Sequence, residues 1–283
     1  MIDTSFLSQL KRFSLIIDRK VNSNYQGERK SFAAGSGLLL KDYVQYTPGD
    51  DFRKIDWRVF ARTDKLFIRR YEEERNLTIH VLLDYSGSMN YGGKYKKSDY
   101  AAMLGIGFAY MAMGNNERFV MATFAEKLER YRPRRGRKQL AAMVEYLNNK
   151  KAEGRTNFES SLATYHKRQI SSKSMVFIIS DFLYDVDEIR RALLRYKNHK
   201  VVLIQVLDPT EMSLDLEGDY RLIDSETKDS VRTHISPNVK TQYKEALAGH
   251  SAKIKNVADE LKAQYFQVSS GDLIFDSFYK ILG

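Results

Sequence analysis

The sequence contains no cysteine, only four prolines and one tryptophan, and no long uninterrupted apolar run. The absence of cysteine excludes disulfides and thiolate metal sites, and five scattered histidines offer no other set of soft ligands. The longest apolar stretches, MVFII and VVLIQVL, are far shorter than the roughly 20 residues that span a bilayer. Residues 3–20 alternate charged and apolar positions, unlike a secretory signal. We therefore expect a cytoplasmic protein without a transmembrane segment.

The remaining composition is that of a folded globular protein, because 43% of the residues are hydrophobic and 12% are aromatic. The net charge is +10, and residues 127–138 (KLERYRPRRGRK) contribute seven basic residues and one acidic residue to it. Such a segment can be the solvated edge of a sheet, a docking surface for an acidic partner or a nucleic-acid contact. Tyr131 is its only aromatic residue, which is too little for a base-stacking platform.

Apolar periodicity divides the chain into two regions. Residues 3–20 carry apolar side chains at three- and four-residue steps, typical of an amphipathic helix, and residues 37–74 contain short strand-like pieces around the turn signal PGDD. After residue 76, apolar strands alternate with helical patterns. The predicted strands are 77–84, 118–125, 174–181 and 200–208, the predicted helices are 97–113, 136–150, 158–170, 186–197 and about 236–264, and a two-stranded stretch covers 216–234.

Fully apolar strands that alternate with helices indicate a mostly parallel sheet that is covered on both faces. The predicted fold class is therefore α/β, a doubly wound, Rossmann-like sheet with helices on both faces, plus a small N-terminal helix and a β-rich segment. We expect residues 1–76 to form this N-terminal part and to pack on a main domain of residues 77–283.

Three oxygen-bearing side chains follow the first strand of the main domain at alternate positions, namely Asp84, Ser86 and Ser88 in the run VLLDYSGSM. Where a strand ends and a glycine-containing loop begins, such side chains can turn together toward one hard cation such as Mg2+. Asp and Ser after a strand also serve as helix caps and turn formers. This run alone does not decide between the two interpretations.

Two further donors complete the set. In an open doubly wound sheet, ligands gather at the carboxyl ends of the strands, next to the point where the winding direction reverses. Asp181 ends the strand 174–181, which we expect to neighbour the strand of Asp84, and Thr156 lies in the loop GRTNF between them in sequence. Five oxygen donors from three loops would then converge, which favours a metal site for Mg2+, Mn2+ or Ca2+.

This set of residues resembles the metal-ion-dependent adhesion site of von Willebrand factor A domains, whose pattern is Asp-x-Ser-x-Ser followed by a distant Thr and a distant Asp. The resemblance covers residues 77–283 and implies a von Willebrand A-like fold. Hydroxyl ligands are neutral, so a metal held by Ser86, Ser88 and Thr156, with the two aspartates acting partly through water, keeps positive charge. The resemblance implies that an Asp or Glu of a partner protein completes the coordination, in recognition and not in a reaction.

A second resemblance lies in residues 35–75, where YTPGDDFRKIDWRVFARTDKLFIRRYEEE is similar to the signature of the bacterial domain-of-unknown-function family fifty-eight. The matching residues are Tyr46, Gly49, Asp50, Arg53, Ile55, Asp56, Trp57, Ala61, Arg62 and Glu74. Members are typically encoded beside MoxR-type AAA+ ATPases, so the resemblance implies an adaptor or co-chaperone of such an ATPase. Many members carry transmembrane helices before this segment, whereas this chain has the helical pattern of residues 3–20. We expect Ile55, Trp57 and Phe60 to pack the segment on the main domain, and the alternative is a direct role in binding the partner.

Two other functions compete with a recognition module. An enzyme that uses Mg2+ to polarise a phosphate ester is compatible with the ligand types, but the sequence has no evident general base or phosphate cradle. Gly92, Gly93 and Lys94 do not match a phosphate-binding loop, because Tyr95 stands where Ser or Thr should bind Mg2+. The other alternative is a nucleic-acid-associated protein that uses residues 127–138. The sequence favours a non-enzymatic, metal-dependent protein interaction module.

Overall fold

A computed structural model describes residues 2, 5–13, 39–48, 50–72, 78–93, 95–114, 117–131, 137–225 and 229–282. Within these ranges the chain forms two compact units, one from residues 1–29 and 77–283 and the other from residues 30–76. The strands are β1 (Leu39–Gln45), β2 (Phe67–Glu72), β3 (Thr78–Asp84), β4 (Phe119–Phe124), β5 (Leu128–Arg130), β6 (Ser174–Ser180), β7 (Lys200–Leu207), β8 (Gly218–Ile223), β9 (Ser230–Ile235) and β10 (Gln264–Ser269). The helices are α1 (described over residues 5–13), α2 (Trp57–Thr63), α3 (Lys97–Gly114), α4 (Arg137–Asn149), α5 (Phe158–Gln169), α6 (Val186–Leu194), α7 (Pro209–Ser213), α8 (Pro237–Glu260) and α9 (Ile274–Leu282). None of the described helices has the length and apolar character that a membrane crossing requires.

A six-stranded sheet forms the centre of the larger unit, with the strand order β10-β7-β6-β3-β4-β5. All neighbouring strands are parallel except β4 and β5, which are antiparallel. The chain enters the sheet at β3, adds β4 and β5 on one side, and then crosses to β6, β7 and β10 on the other. The winding direction therefore reverses between β3 and β6. The predicted α/β fold with a mostly parallel sheet is confirmed.

Helices cover both faces of this sheet. Alternate side chains of a strand point to opposite faces, and the apolar side chains on each face must be buried. Val81 and Leu83 of β3 belong to a core shared with α1, α3, α4 and α9, whereas Leu82 belongs to a second core shared with α5, α6 and α8. Both faces of the central strands are thus buried. This explains why their sequences are apolar throughout and do not alternate.

The close approach of α9 to α3 depends on a glycine. A Cβ atom added at Gly107 would lie only 2.0 Å from Cζ of Phe278. The Phe278 ring also packs against Phe108 and Phe13, with ring centroids 5.5 Å and 5.7 Å away. Through Phe13, α1 therefore joins the core of the larger unit. Of the helix predicted for residues 3–20, residues 5–13 are helical and 14–20 lie outside the described residues.

The smaller unit pairs β1 and β2 in an antiparallel ribbon, with α2 between them in sequence. Asp56 caps α2, because its carboxylate accepts the backbone N–H groups of Arg58 and Val59. This cap explains why a region predicted as β-rich also contains a helix. Ile55 is buried, whereas Trp57 is 60% exposed. The packing of this region on a main domain that begins at residue 77 stays a prediction.

The remaining predicted elements are found with shifted ends. β8 and β9 form an antiparallel hairpin outside the central sheet, within the predicted two-stranded stretch. α8 ends at Glu260, before the predicted residue 264, because Lys262 adopts a left-handed backbone conformation (φ 57°) and β10 starts two residues later. β5 carries the first part of the basic segment and is an edge strand, while residues 132–136 lie outside the described residues.

Candidate metal centre

The carboxyl ends of β3 and β6 bring two of the predicted site residues to one edge of the sheet. The two strands are parallel neighbours, and Leu83 lies opposite Ile179 in their register. Asp84 is the last residue of β3, and Asp181 directly follows β6. Both side chains are fully buried. The two carboxylates therefore meet at the position where the winding direction of the sheet reverses.

The loop after β3 holds Ser86 and Ser88 in a compact turn. The Oδ1 atom of Asp84 accepts the backbone N–H of Ser86 at 2.9 Å, which folds the chain back on itself. A short 3-10 turn at Gly87–Asn90 follows. It leaves the Oγ atoms of Ser86 and Ser88 3.1 Å apart, with Ser86 buried and Ser88 partly exposed. The three residues of the Asp-x-Ser-x-Ser run thus lie together.

Thr156 belongs to a loop that is attached to this turn by two backbone hydrogen bonds. Gly87 N donates to Gly154 O at 2.9 Å, and Glu153 N donates to Tyr85 O at 3.0 Å. The Oγ1 atom of Thr156 is buried and has no hydrogen-bond partner among the described residues. A buried hydroxyl without a partner is uncommon, because the loss of hydration is then uncompensated. Within the described residues this oxygen is therefore available to accept or donate a bond to an ion or a water molecule.

Asp84 is held by side chains that the sequence analysis did not identify. Its Oδ2 atom accepts the Ser180 hydroxyl at 2.7 Å and also the phenolic hydrogen of Tyr184. With the Ser86 N–H on Oδ1, three donors fix the carboxylate, and Oδ1 keeps one acceptor position. Ser180 directly precedes Asp181, so its neighbourhood could have been inferred. The sequence carries no signal for the position of Tyr184.

A buried ion-pair network surrounds Asp181. The Nζ atom of Lys97 lies 2.9 Å from Oδ2 of Asp181 and 2.6 Å from Oε1 of Glu211. Oδ1 of Asp181 accepts the backbone N–H of Leu183 at 3.3 Å. Lys97 is the first residue of α3, and Glu211 belongs to the capping box that begins α7. Neither residue is predicted from the sequence, since neither belongs to the motif.

The electrostatics of the site follow from burial. Burial raises the pKa of Asp84 above its ordinary value, the negative charge of Asp181 raises it further, and the three hydrogen bonds to Asp84 partly offset both effects. Burial by itself lowers the pKa of Lys97, but the carboxylates of Asp181 and Glu211 outweigh it and keep the ammonium charged. Two buried carboxylates side by side favour a nearby cation, and the Lys97 ammonium supplies one at Asp181.

Two of the five predicted donors lie at a separation that suits a small, hard cation. Neighbouring ligands of an octahedral Mg2+ ion, each about 2.1 Å from the metal, lie about 3 Å apart. The Ser86 and Ser88 hydroxyls form a hydrogen bond to each other, and the 3.1 Å between their oxygens is also compatible with this geometry. The oxygen of Thr156, which has no hydrogen-bond partner among the described residues, and the remaining acceptor position on Asp84 are the further donors that the prediction requires. Among the described residues no three His, Cys, Asp or Glu side chains form a metal-binding cluster, and most of these donors are hydroxyls.

A cleft of about 650 Å³ borders the loops that carry the predicted donors, although none of the five donor residues lines it. Gly87 and Gly154, from the two attached loops, line it together with Ser225 from the turn of the β8–β9 hairpin. Ser225 approaches so closely that a Cβ atom at Gly87 would lie 2.8 Å from its carbonyl oxygen. Glycine is therefore required between the two serines of the motif. The cleft offers an approach from solvent to the loops that carry the donors.

The fold and the site define an α/β protein with a mostly parallel sheet and a cluster of buried carboxylates and hydroxyls at the switch point. Residues 42–253 match the family described as "Protein of unknown function DUF58", and the chain belongs to this family. The uncharacterised protein Rv1480 of Mycobacterium tuberculosis is 26% identical over 257 residues, which cover 89% of this chain and 81% of that protein. The uncharacterised protein Mb1516 of Mycobacterium bovis matches with the same values.

Solved structures resemble the chain more distantly. An aerotolerance-related membrane protein from Bacteroides fragilis aligns over 73% of this chain and 98% of its own, with 14% identity and a TM-score of 0.47. BatB from Bacteroides thetaiotaomicron aligns over 73% and 97%, with 14% identity and a TM-score of 0.44. Proximal thread matrix protein 1 from the mussel byssus, with a zinc-occupied MIDAS motif, aligns over 73% and 44%, with 15% identity and a TM-score of 0.39. Likenesses this distant assign neither a function nor a metal to this chain.

Proposed function

We propose that the protein is a non-enzymatic interaction module of the von Willebrand factor A type that binds a partner carboxylate through a divalent metal. The five residues that would hold Mg2+, or Mn2+ or Ca2+ in its place, are Asp84, Ser86, Ser88, Thr156 and Asp181. A cation bound there supplies a positive centre to which an Asp or Glu of another protein can bind. The single observation that carries this proposal is the buried hydroxyl of Thr156, which has no hydrogen-bond partner in the described part of the chain.

The residues around the donors support recognition over turnover. Ser180 and Tyr184 both donate hydrogen bonds to Asp84, so they orient its carboxylate as a ligand. The partly exposed Ser88 and the adjacent cleft leave room for a side chain from outside. An enzyme acting on phosphate esters would need a general base positioned against its substrate, whereas three hydrogen-bond donors orient the Asp84 carboxylate as a ligand.

The proposed partner is a MoxR-type AAA+ ATPase or its client, and the proposed location is the cytoplasm. The segment from Tyr46 to Arg62, with its GDD, IDW and AR elements, supports this assignment through its resemblance to proteins encoded beside such ATPases. In the structure this segment presents Phe52 and Trp57 at 64% and 60% exposure. Exposed aromatic residues of this kind are enriched where proteins bind one another. The chain would then act as an adaptor or co-chaperone of the ATPase.

Two measurements test the proposal. The first is Mn2+ binding followed by electron paramagnetic resonance, for the wild type, for Asp84→Ala and for Thr156→Val, with Thr164→Val on α5 as a matched control. We expect binding by the wild type and the control and a loss of at least about tenfold in affinity for the two site variants.

The second measurement is capture of the MoxR-type ATPase from the same organism, with and without EDTA. Capture that survives both EDTA and Asp84→Ala contradicts the metal bridge.

A further inference from the structure

Lys97 is an unusual component of a site that would hold a metal. Its side chain is fully buried, and its ammonium group contacts two carboxylates, Asp181 at 2.9 Å and Glu211 at 2.6 Å. Burying a lysine is costly unless its charge is paired and hydrogen-bonded, and these two contacts supply that pairing. The chain has therefore placed a permanent positive charge directly on one of the five candidate metal ligands.

This contact changes what Asp181 can offer to a metal. Its Oδ2 atom is bound to the Lys97 ammonium, and its Oδ1 atom accepts the backbone N–H of Leu183. A divalent cation that uses Asp181, directly or through water, must share the carboxylate with the ammonium or displace it. The two cations repel each other strongly, because the site is buried and solvent screens it little.

Glu211 gives the ammonium a second place to bind. It belongs to α7, which follows β7 directly, and its other carboxylate oxygen accepts the N–H of Asp208 at 2.9 Å. Its position is therefore fixed by the helix cap and does not depend on Lys97 alone. When a divalent cation binds at Asp181, the Lys97 ammonium can stay paired with Glu211. Its displacement from Asp181 therefore does not leave a buried charge unpaired.

We propose that Lys97 is a resident cation of the candidate metal centre that competes with divalent metals for Asp181 and thereby sets their affinity. This inference rests on the proposed metal site. Glu211 tunes the competition by drawing the ammonium away from Asp181. Lys97 is a positioning and affinity-determining residue in this scheme, and it does not itself bind the metal.

The test compares Mn2+ affinities of four proteins at one pH and ionic strength, by electron paramagnetic resonance and by calorimetry with Mn2+ alone. The expected order, from tightest to weakest, is Lys97→Met, the double variant Lys97→Met/Glu211→Gln, the wild type and Glu211→Gln. Removing the ammonium should tighten binding at least about tenfold, the lower end of what one charge within 4–6 Å does to the proton affinity of a carboxylate. Glu211→Gln should weaken binding, because the ammonium then pairs with Asp181 alone.

The double variant is included because Lys97→Met by itself could fail to fold. Lys97→Met alone leaves two buried carboxylates without their cation, whereas the double variant removes one of them as well. Circular dichroism and thermal unfolding in EDTA establish that each protein is folded. Lys240→Met is the matched control. It removes the ion pair between Lys240 on α8 and Glu217, and this variant should bind Mn2+ as the wild type does.

The outcomes separate this inference from the proposed function. If the wild type binds Mn2+ and the double variant binds it no more tightly, the role of Lys97 is overturned and the metal site stands. If only the lysine variants bind Mn2+, the competition is supported and the metal-dependent function of the wild type is overturned. If neither the wild type nor any variant binds Mn2+, the proposed metal site and the role of Lys97 are both overturned.

Discussion

Tyr184 donates its phenolic hydrogen to Oδ2 of Asp84, although 100 residues separate the two in sequence. The position of the tyrosine ring is fixed by stacking on Phe158, with the two ring centroids 4.9 Å apart. Burial and the negative charge of Asp84 both raise the pKa of Tyr184, so the phenol stays protonated and remains a donor. The carboxylate at the centre of the candidate site is thus oriented by a side chain from the loop after β6.

Replacing Tyr184 by phenylalanine should destabilise the protein even without metal. Tyr184→Phe keeps the stacked ring and removes one hydrogen bond to a buried carboxylate, so the free energy of unfolding should fall by about 2 kcal/mol in EDTA. Urea unfolding measures this change. Tyr265→Phe is the matched control, because it removes a bond to the neutral amide oxygen of Gln205. An equal loss in the two variants would show that the charge of Asp84 does not matter.

Thr156 should be the site residue whose loss is harmless without metal. Thr156→Val removes a buried hydroxyl for which the described ranges hold no hydrogen-bond partner, so the metal-free protein should be as stable as the wild type or more stable by about 1 kcal/mol. The rise in melting temperature that Mg2+ gives the wild type should disappear in this variant. Thr156→Ser keeps the oxygen and should retain that rise. If the valine variant is clearly less stable than the wild type in EDTA, the Thr156 hydroxyl does have a stabilising hydrogen bond.

His80 should make the protein acid-sensitive independently of the metal site. Burial, followed by the charges of His199 and Arg130, lowers the pKa of His80 to about 4. The unfolded chain binds a proton near pH 6.5 and the folded chain does not, so stability is full above about pH 6.5 and falls as the pH drops toward 4, by about 3 kcal/mol in total. Denaturant unfolding at several pH values measures this loss.

Substitution of the buried histidine isolates its contribution. His80→Gln keeps a polar partner for the Tyr165 hydroxyl, which lies 2.8 Å from Nδ1 of His80, and should remove most of the acid-dependent loss. His234→Gln, at a ring that is 66% exposed, should follow the wild type. If His80→Gln and the wild type lose stability in parallel between pH 7 and pH 4, the acid sensitivity arises elsewhere.

Two glycine-to-alanine changes within helices should act in opposite directions. Gly107→Ala places a methyl group 2.0 Å from the Phe278 ring and should destabilise the α3–α9 contact by about 1–3 kcal/mol through overpacking. Gly249→Ala on α8 meets nothing within 4 Å and should stabilise the protein by about 0.5–1 kcal/mol through helix propensity. Thermal and urea unfolding measure both changes. Stabilisation by Gly107→Ala would mean that α9 packs more loosely than the structure has it.

The sequence predicts much of the sheet, because strands buried on both faces must be apolar throughout. The pattern around Val81, Leu82 and Leu83 predicts a buried strand, and the observed register places these residues in the two cores on either side of the sheet. The local pattern failed for α2, whose start depends on the side-chain cap of Asp56 and not on apolar periodicity. Local spacing also predicts the cluster of Asp84, Ser86 and Ser88, since one turn brings them together.

The surroundings of that cluster were beyond the reach of the sequence. Lys97, Tyr184 and Glu211 come from three different elements, and no spacing rule connects residues that lie 84 or more positions from their partners at the site. Their contacts exist only because the sheet reverses its winding between β3 and β6, which brings the loops after β3, β6 and β7 to one edge. The sequence by itself determined which oxygen donors are available. Only the tertiary structure decided that a buried ammonium shares one of them, because charges far apart along a chain interact only once folding has placed them together.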